Sequence, residues 1–331
     1  MAKEYYLGMD LGGTNVKLGL LDQDGSIIAN ISEPTQTQLG PISLVERMVK
    51  NCRDLIKQNN IPEDQVKALG IGSPGPLSIS QGKLINLCNL PGFADFPLRA
   101  QMSQRLQIPA LLENDANAAC WGEFWLGAGR NVNNMVLYTL GTGIGGGIII
   151  NGELVHGCDD NGAELGHMII QTDGRYCACG QHGCVETYAS ANATAARAEE
   201  ALDQGRSSSL LIIRKRKGSL TSKDVFEHAA VGDILANEIV DGTCRSLAQV
   251  CVNMLHVTEP EMIVLTGGMI KAGNILLDRV RSFFRQMIWN LKAETMEICY
   301  ATLGDNSGFI GAAGLALQGY CNRQRLFPPG V

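Results

Sequence analysis

The sequence predicts an α/β protein of two domains, and three observations carry that expectation. Short apolar strands alternate with amphipathic helices along the chain, the order expected of helices packed on both faces of sheets. One pattern opens both halves, near residues 5 and 135: apolar strand, glycine-rich turn, apolar strand, then a tight turn ending in glycine. The 331 residues also suffice for two domains of ordinary size, each with its own core.

In order, residues 5–10 form an apolar strand running into Gly12 and Gly13. Residues 16–21 return as its hairpin partner, and Asp24-Gly25 closes a turn before a third strand over 27–31. Leu44, Val45, Met48, Cys52, Leu55 and Ile56 recur at helical spacing behind Pro41 and Ser43, a helix start signal. A strand over 66–72, a helix over 98–106 and a strand over 110–113 ending in Asn114-Asp115 follow. The second half begins with a strand over 135–140, a glycine turn over 141–147 and a strand over 148–150 closed by Asn151-Gly152; duplication is the economical explanation. Residues 188–201 are alanine-rich and helical, 204–223 read as loop with helix ends, and 224–255 supply two helices. A buried strand over 262–266 leads into Gly267-Gly268, and a small-residue helix runs from Ser307 to about Cys321.

Charge and cysteine usage exclude several classes. A net charge of −6 without a basic stripe lacks the counterion-release term on which nucleic-acid binding depends. The one basic run, 214–217, reads as a solvated loop between helices. Eleven cysteines in a chain this large, an odd count, fit a reducing cytoplasm better than a disulfide scaffold. No apolar leader or membrane-length stretch occurs, so the expectation is a soluble cytoplasmic protein with no membrane partner.

Residues 164–186, ELGHMIIQTDGRYCACGQHGCVE, gather three cysteines, a histidine and two carboxylates. Gly180 and Gly183 allow a tight knuckle that aims Cys177, Cys179 and Cys184 at one point. With His167 ten residues upstream the set becomes one nitrogen and three sulfurs, which fills a tetrahedral Zn²⁺ and implies a structural metal. The alternatives are scattered buried thiols or a labile disulfide.

Three glycine turns follow apolar strands: DLGGTN at 10–15, LGTGIGGG at 140–147 and LTGGM at 265–269. Each can present backbone N–H groups to phosphate oxygens, and three together suggest a gripped nucleotide. None matches GxxxxGK[ST] or opens a βαβ unit, which disfavours Walker-type NTPases and Rossmann dehydrogenases. Asp10 can hold Mg²⁺ beside the first turn, or merely cap it. Lys17 can reach a phosphate as a point charge, or stand exposed on its strand. Asp115 can take the proton of an alcohol attacking phosphorus, and Asn114 suits hydroxyls. On spacing alone, a helix N-cap before Ala116 is the stronger reading of Asn114-Asp115.

DLGGTNVKLGLLD, GIGSPGPLS, LCNLPGF, ENDANAA, LGTGIGGG, ELGH and CACGQHGCVE stand in the order found in the ROK family of repressors, open-reading-frame proteins and sugar kinases. The chain resembles that family over essentially its whole length. The resemblance implies two actin-like ATPase domains of the hexokinase and Hsp70 superfamily around a central cleft, with a zinc knuckle in the larger. Residues 1–119 with about 312–331 would form the smaller domain and 120–311 the larger, and closure would exclude water from the phosphate. The activity implied is an ATP-dependent hexose kinase acting on the 6-hydroxyl of glucose, in a homodimer or homotetramer. N-acetylmannosamine, N-acetylglucosamine, fructose or allose kinases would share nearly every motif.

By the same resemblance Asp115 is the catalytic base, and Gly75, Asn89, Asn114, Asp115, Glu164, His167 and Glu186 contact the sugar. Asp10, Gly12, Gly13, Thr14, Asn15, Lys17, Thr142 and Gly143 meet Mg²⁺ or phosphates, and Gly267 and Gly268 lie near the adenosine. His167 would bind zinc through one ring nitrogen and offer the other to the sugar. Phe93 stands where many members have Trp, and Ala163 where Gly is frequent; both departures bear on sugar preference. Repressor members carry a helix-turn-helix ahead of the first phosphate turn, and only nine residues precede Asp10 here.

Overall fold

The computed structural model describes residues 3–85, 92–289 and 296–326, with two compact units. The first comprises Met1–Asn131, Leu154–Ala163 and Thr302–Val331, and the second Val132–Glu153 and Glu164–Ala301. The boundaries expected at 119 and 312 lie inside helices α3 (Asp115–Trp125) and α10 (Ser307–Leu326). A helix is one run of hydrogen bonds, and α3 and α10 pack on each other within the first unit, so neither is divided.

In the first unit β1 (Tyr5–Leu11), β2 (Asn15–Asp22), β3 (Ile27–Pro34), β4 (Val66–Ser73) and β7 (Ala110–Asn114) form a sheet of order β3-β2-β1-β4-β7. A small hairpin of β5 (Leu77–Ser78) and β6 (Lys83–Leu84) stands apart from it. Period-two alternation sorts β1 onto two cores. Leu7, Met9 and Leu11 join Leu44, Met48, Cys52 and Leu55 of α1 (Gly40–Gln58) and Leu98 and Met102 of α2 (Leu98–Leu106). Tyr6, on the other face, joins Phe309, Ile310 and Ala313 of α10. Full burial of each large apolar side chain contributes about 1.5–3 kcal/mol. Gly8 and Gly70 lie under α10, where any side chain would collide with the Phe309 and Ala312 carbonyls, so the small-residue helix rests its backbone on the sheet. Buried Glu123 ties the returning chain in place, accepting the Thr302 and Leu303 N–H groups at 3.0 and 2.9 Å.

The second unit repeats the topology. Its sheet of β8 (Met135–Leu140), β9 (Ile144–Ile150), β10 (Glu153–Leu154), β11 (Met262–Thr266) and β12 (Glu297–Tyr300) has order β10-β9-β8-β11-β12. In each unit the first two strands are an antiparallel hairpin and the last two join in parallel, which supports duplication. Helices α4 (Glu186–Ala189), α5 (Ala191–Asp203), α6 (Leu210–Lys217), α7 (Ser222–Ala230), α8 (Ile234–Thr258) and α9 (Asn274–Met287) complete it.

Three local expectations are corrected. The second glycine turn ends at Gly143, because Gly145, Gly146 and Gly147 belong to β9 and Leu165 occupies the space a Gly146 side chain would need. The alanine-rich helix breaks at Ser190, which is extended and caps α5 through Oγ, accepting the Ala193 N–H at 3.1 Å. The basic run is the last turn of α6, closed by Gly218 at φ 87°; Arg214 pairs with Asp203 at 2.6 Å and Lys217 with Asp224 at 2.6 Å. Among the described residues no helix is long and apolar enough to cross a membrane.

Candidate active site

In the first unit the parallel strands β1, β4 and β7 end together. Asp10 lies opposite Gly72, Gly72 opposite Glu113, and Ser73 opposite Asn114, so Asp10 and Asn114-Asp115 share one edge. Ligands of open α/β sheets bind outside that edge. The first glycine turn lies there too: Gly13, Thr14 and Asn15 are exposed, and Gly12 donates to the Asn15 carbonyl at 2.9 Å. Gly75 is exposed two residues beyond β4. Asn114 takes the capping role, its Oδ1 accepting the Ala116 and Asn117 N–H groups at 2.9 and 3.2 Å. Asp115 is the first residue of α3, and its Oδ1 accepts the Ala116 N–H at 2.8 Å. Lys17 pairs with Asp10 across the hairpin and donates through Nζ to the Asp305 carbonyl at 2.8 Å. Asn89 lies outside the described residues. Phe93 is buried in the α1/α2 core, edge-on to Phe96 at 5.3 Å, so its departure from Trp changes packing there.

The Asp10 carboxylate lies against Gly308 in the first turn of α10. Burial holds its carboxyl above the ordinary 3.8, against the pull of Lys17. A raised pKa means that the folded state binds the proton more tightly than the unfolded chain, so stability falls as pH rises through the folded value. Asp10→Asn is therefore expected to melt above wild type at pH 7. Thermal scans of the two proteins check this, and equal melting temperatures would refute the electrostatic penalty.

In the second unit Gly141, Thr142 and Gly143 follow β8, and Gly267 and Gly268 follow the adjacent β11. Gly267 has φ 93° and lies so close to Leu140 that only glycine fits. A cavity of about 430 Å³ opens beside Gly268, lined by Lys223, Phe226 and Glu227 of α7 with Met269 and Ile275. No local sequence pattern marks these α7 residues, which reach the cavity only through tertiary packing.

The knuckle brings His167, Cys177, Cys179 and Cys184 together, with their ligand atoms within 4.8 Å of one another. Cys179 and Cys184 sulfurs are 3.7 Å apart, and Cys177 Sγ is 3.7 Å from His167 Nδ1. Tetrahedral Zn–S bonds of about 2.3 Å separate ligand atoms by about 3.8 Å, so the four fit a zinc ion. Gly180 and Gly183, at φ 92° and 81°, make the turns the spacing predicts. Glu164 caps the 3-10 turn Leu165–His167, which sets Glu164 and His167 three residues apart on one face. Ala163 just before it has φ 64°, the left-handed region in which glycine is relaxed. Glu186 Oε2 accepts the Ile144 N–H at 2.8 Å and lies against Gly143, joining the knuckle to the second glycine turn. Sequence reasoning missed Glu113 and His156 in the first unit, whose side chains meet at 2.8 Å.

The chain matches the ROK family over residues 6–319. It is 35% identical over 319 residues to a glucokinase of Halalkalibacterium halodurans, with 96% of each chain covered. A solved ROK family glucokinase from Streptomyces griseus, in complex with glucose and AMPPNP, matches with TM-score 0.78 and 30% identity over 95% of this chain and 100% of that one. The xylose repressor of Bacillus subtilis is 26% identical over 314 residues, 95% of this chain and 77% of the repressor. The two-sheet architecture is thus the actin-like α/β ATPase fold.

Proposed function

The chain belongs to the ROK family, and from that premise we propose that it transfers the γ-phosphoryl group of ATP to the 6-hydroxyl of glucose. The observation that carries the reading is Asp115 at the shared strand edge, with Asn114 as the helix cap beside it and Asp10 two strands away. Asp115 takes the proton of the attacking hydroxyl as its oxygen bonds to phosphorus and ADP leaves. Asp10 would hold Mg²⁺, the Gly12–Asn15 and Gly141–Gly143 turns would meet phosphates, and the cavity beside Gly268 would take the adenosine. Gly75, Asn114, Glu164, His167 and Glu186 contact sugar hydroxyls. His167 Nδ1 lies 3.7 Å from Cys177 Sγ, and in this reading Nε2 is the ring nitrogen left for the sugar. His167, Cys177, Cys179 and Cys184 would hold a zinc ion, which with four protein ligands would serve to keep the knuckle rigid.

Incubation with MgATP and a panel of hexoses and amino sugars, followed by ADP release, tests this reading. Turnover is expected with glucose ahead of N-acetylmannosamine, N-acetylglucosamine, fructose and allose. No ADP with any sugar sinks the kinase reading, and a different preferred sugar overturns the glucose assignment alone.

A further inference from the structure

Glu113 is 2% exposed, and a buried carboxylate is tolerated where its oxygens are satisfied. Its Oε1 accepts from the Asn114 N–H at 2.9 Å and from Asn117 Nδ2 at 3.0 Å, and its Oε2 lies 2.8 Å from His156 Nε2. Asn114 and Asn117 bracket Asp115. Among the described residues β7 is the edge strand of its sheet and pairs only with β4, so a single neighbour in the ladder holds its last residues. His156 comes from Leu154–Ala163, a separate return of the chain to the first unit. That return has a second anchor, Asp160 Oδ2, which accepts the Ser80 N–H at 2.9 Å, and it runs on directly into Glu164.

We propose that His156 is a positioning residue. Through Glu113 it fixes the Asn114-Asp115 dipeptide in the orientation an attacking hydroxyl requires, and it ties that dipeptide to the segment leading into Glu164. The proposal rests on the kinase reading. Without the imidazole, Glu113 stays buried and loses its hydrogen-bond partner at Oε2, so the carboxyl group turns toward other donors and releases the Asn114 N–H. A base displaced by about 1 Å can cost roughly 100-fold in rate.

The test compares wild type, His156→Phe and His156→Gln in ADP release and in amide hydrogen exchange over residues 110–120. His156→Phe is expected to lower kcat by about 10- to 100-fold, leave the KM for MgATP within about twofold, and speed exchange at Asn114, Ala116 and Asn117. His156→Gln, whose amide N–H can reach Glu113 Oε2, should recover most of the rate and the protection. Unchanged exchange in His156→Phe overturns the proposal, as does faster exchange with an unaltered kcat. So does an equal loss in both variants with every KM raised, the mark of general damage. Wild-type protein that releases no ADP sinks the kinase reading, while the exchange data still decide whether His156 holds the turn.

Discussion

Asp115→Ala is expected to lower kcat by about 10²- to 10⁴-fold while the sugar still binds. Phosphoryl transfer passes through a loose transition state, so the base mainly orients the nucleophile and accepts its proton late. The helix-cap position is taken by Asn114, whose Oδ1 accepts two N–H groups, and Asp115 Oδ1 shares the Ala116 N–H with it, so the cap does not depend on Asp115. Its carboxylate in the first turn of α3 gains about 0.3–1 kcal/mol from the helix dipole, so alanine should cost little stability. Asp115→Asn separates the remaining roles, because the amide keeps the shape and the acceptor oxygen yet takes no proton. It should be as slow as alanine at every pH. Near-wild-type turnover in either variant, with the melting temperature unchanged, would show that the base lies elsewhere.

The parts of the site legible in the sequence obey local rules. Strand, glycine and strand in succession mark hairpins, and the spacing of Cys177, Cys179 and Cys184 around Gly180 and Gly183 marks a knuckle. Glu113 and His156 are 43 residues apart, and no periodicity joins them; only the return of Leu154–Ala163 to the first unit does so. Phe226 reads as an ordinary core residue of α7 until that helix packs beside Gly268. Gly145–Gly147 misled because glycine marks turns and close approaches alike; here Gly146 makes room for Leu165 within a strand. Ser190 did leave a signal, a serine three residues ahead of the N–H it caps, but the surrounding alanines favour an unbroken helix.

Removing the metal should cost more than sugar affinity. Leu165 and Gly166, just before His167, pack on Gly146 and Ile144 of β9. Two residues beyond Cys184, Glu186 receives the Ile144 N–H, and Ala191 donates to the Gly141 carbonyl at 2.9 Å. The second glycine turn is thus held from both sides by segments that the four ligands lock together. Cys184→Ser, or wild type stripped by a chelator and returned to Mg²⁺, should contain no zinc where the intact protein is expected to hold about one ion per chain. Turnover should fall at least about 10-fold, with KM rising for MgATP as well as for the sugar. Far-UV circular dichroism should change little, because no helix or strand lies between the turn Leu165–His167 and α4, and faster amide exchange should be confined to residues 164–191. Zinc added back to the stripped wild type should restore rate and protection together. Full activity in zinc-free protein would remove the metal from any role in the site, and a rise in the sugar KM alone would confine its reach to Glu164 and His167.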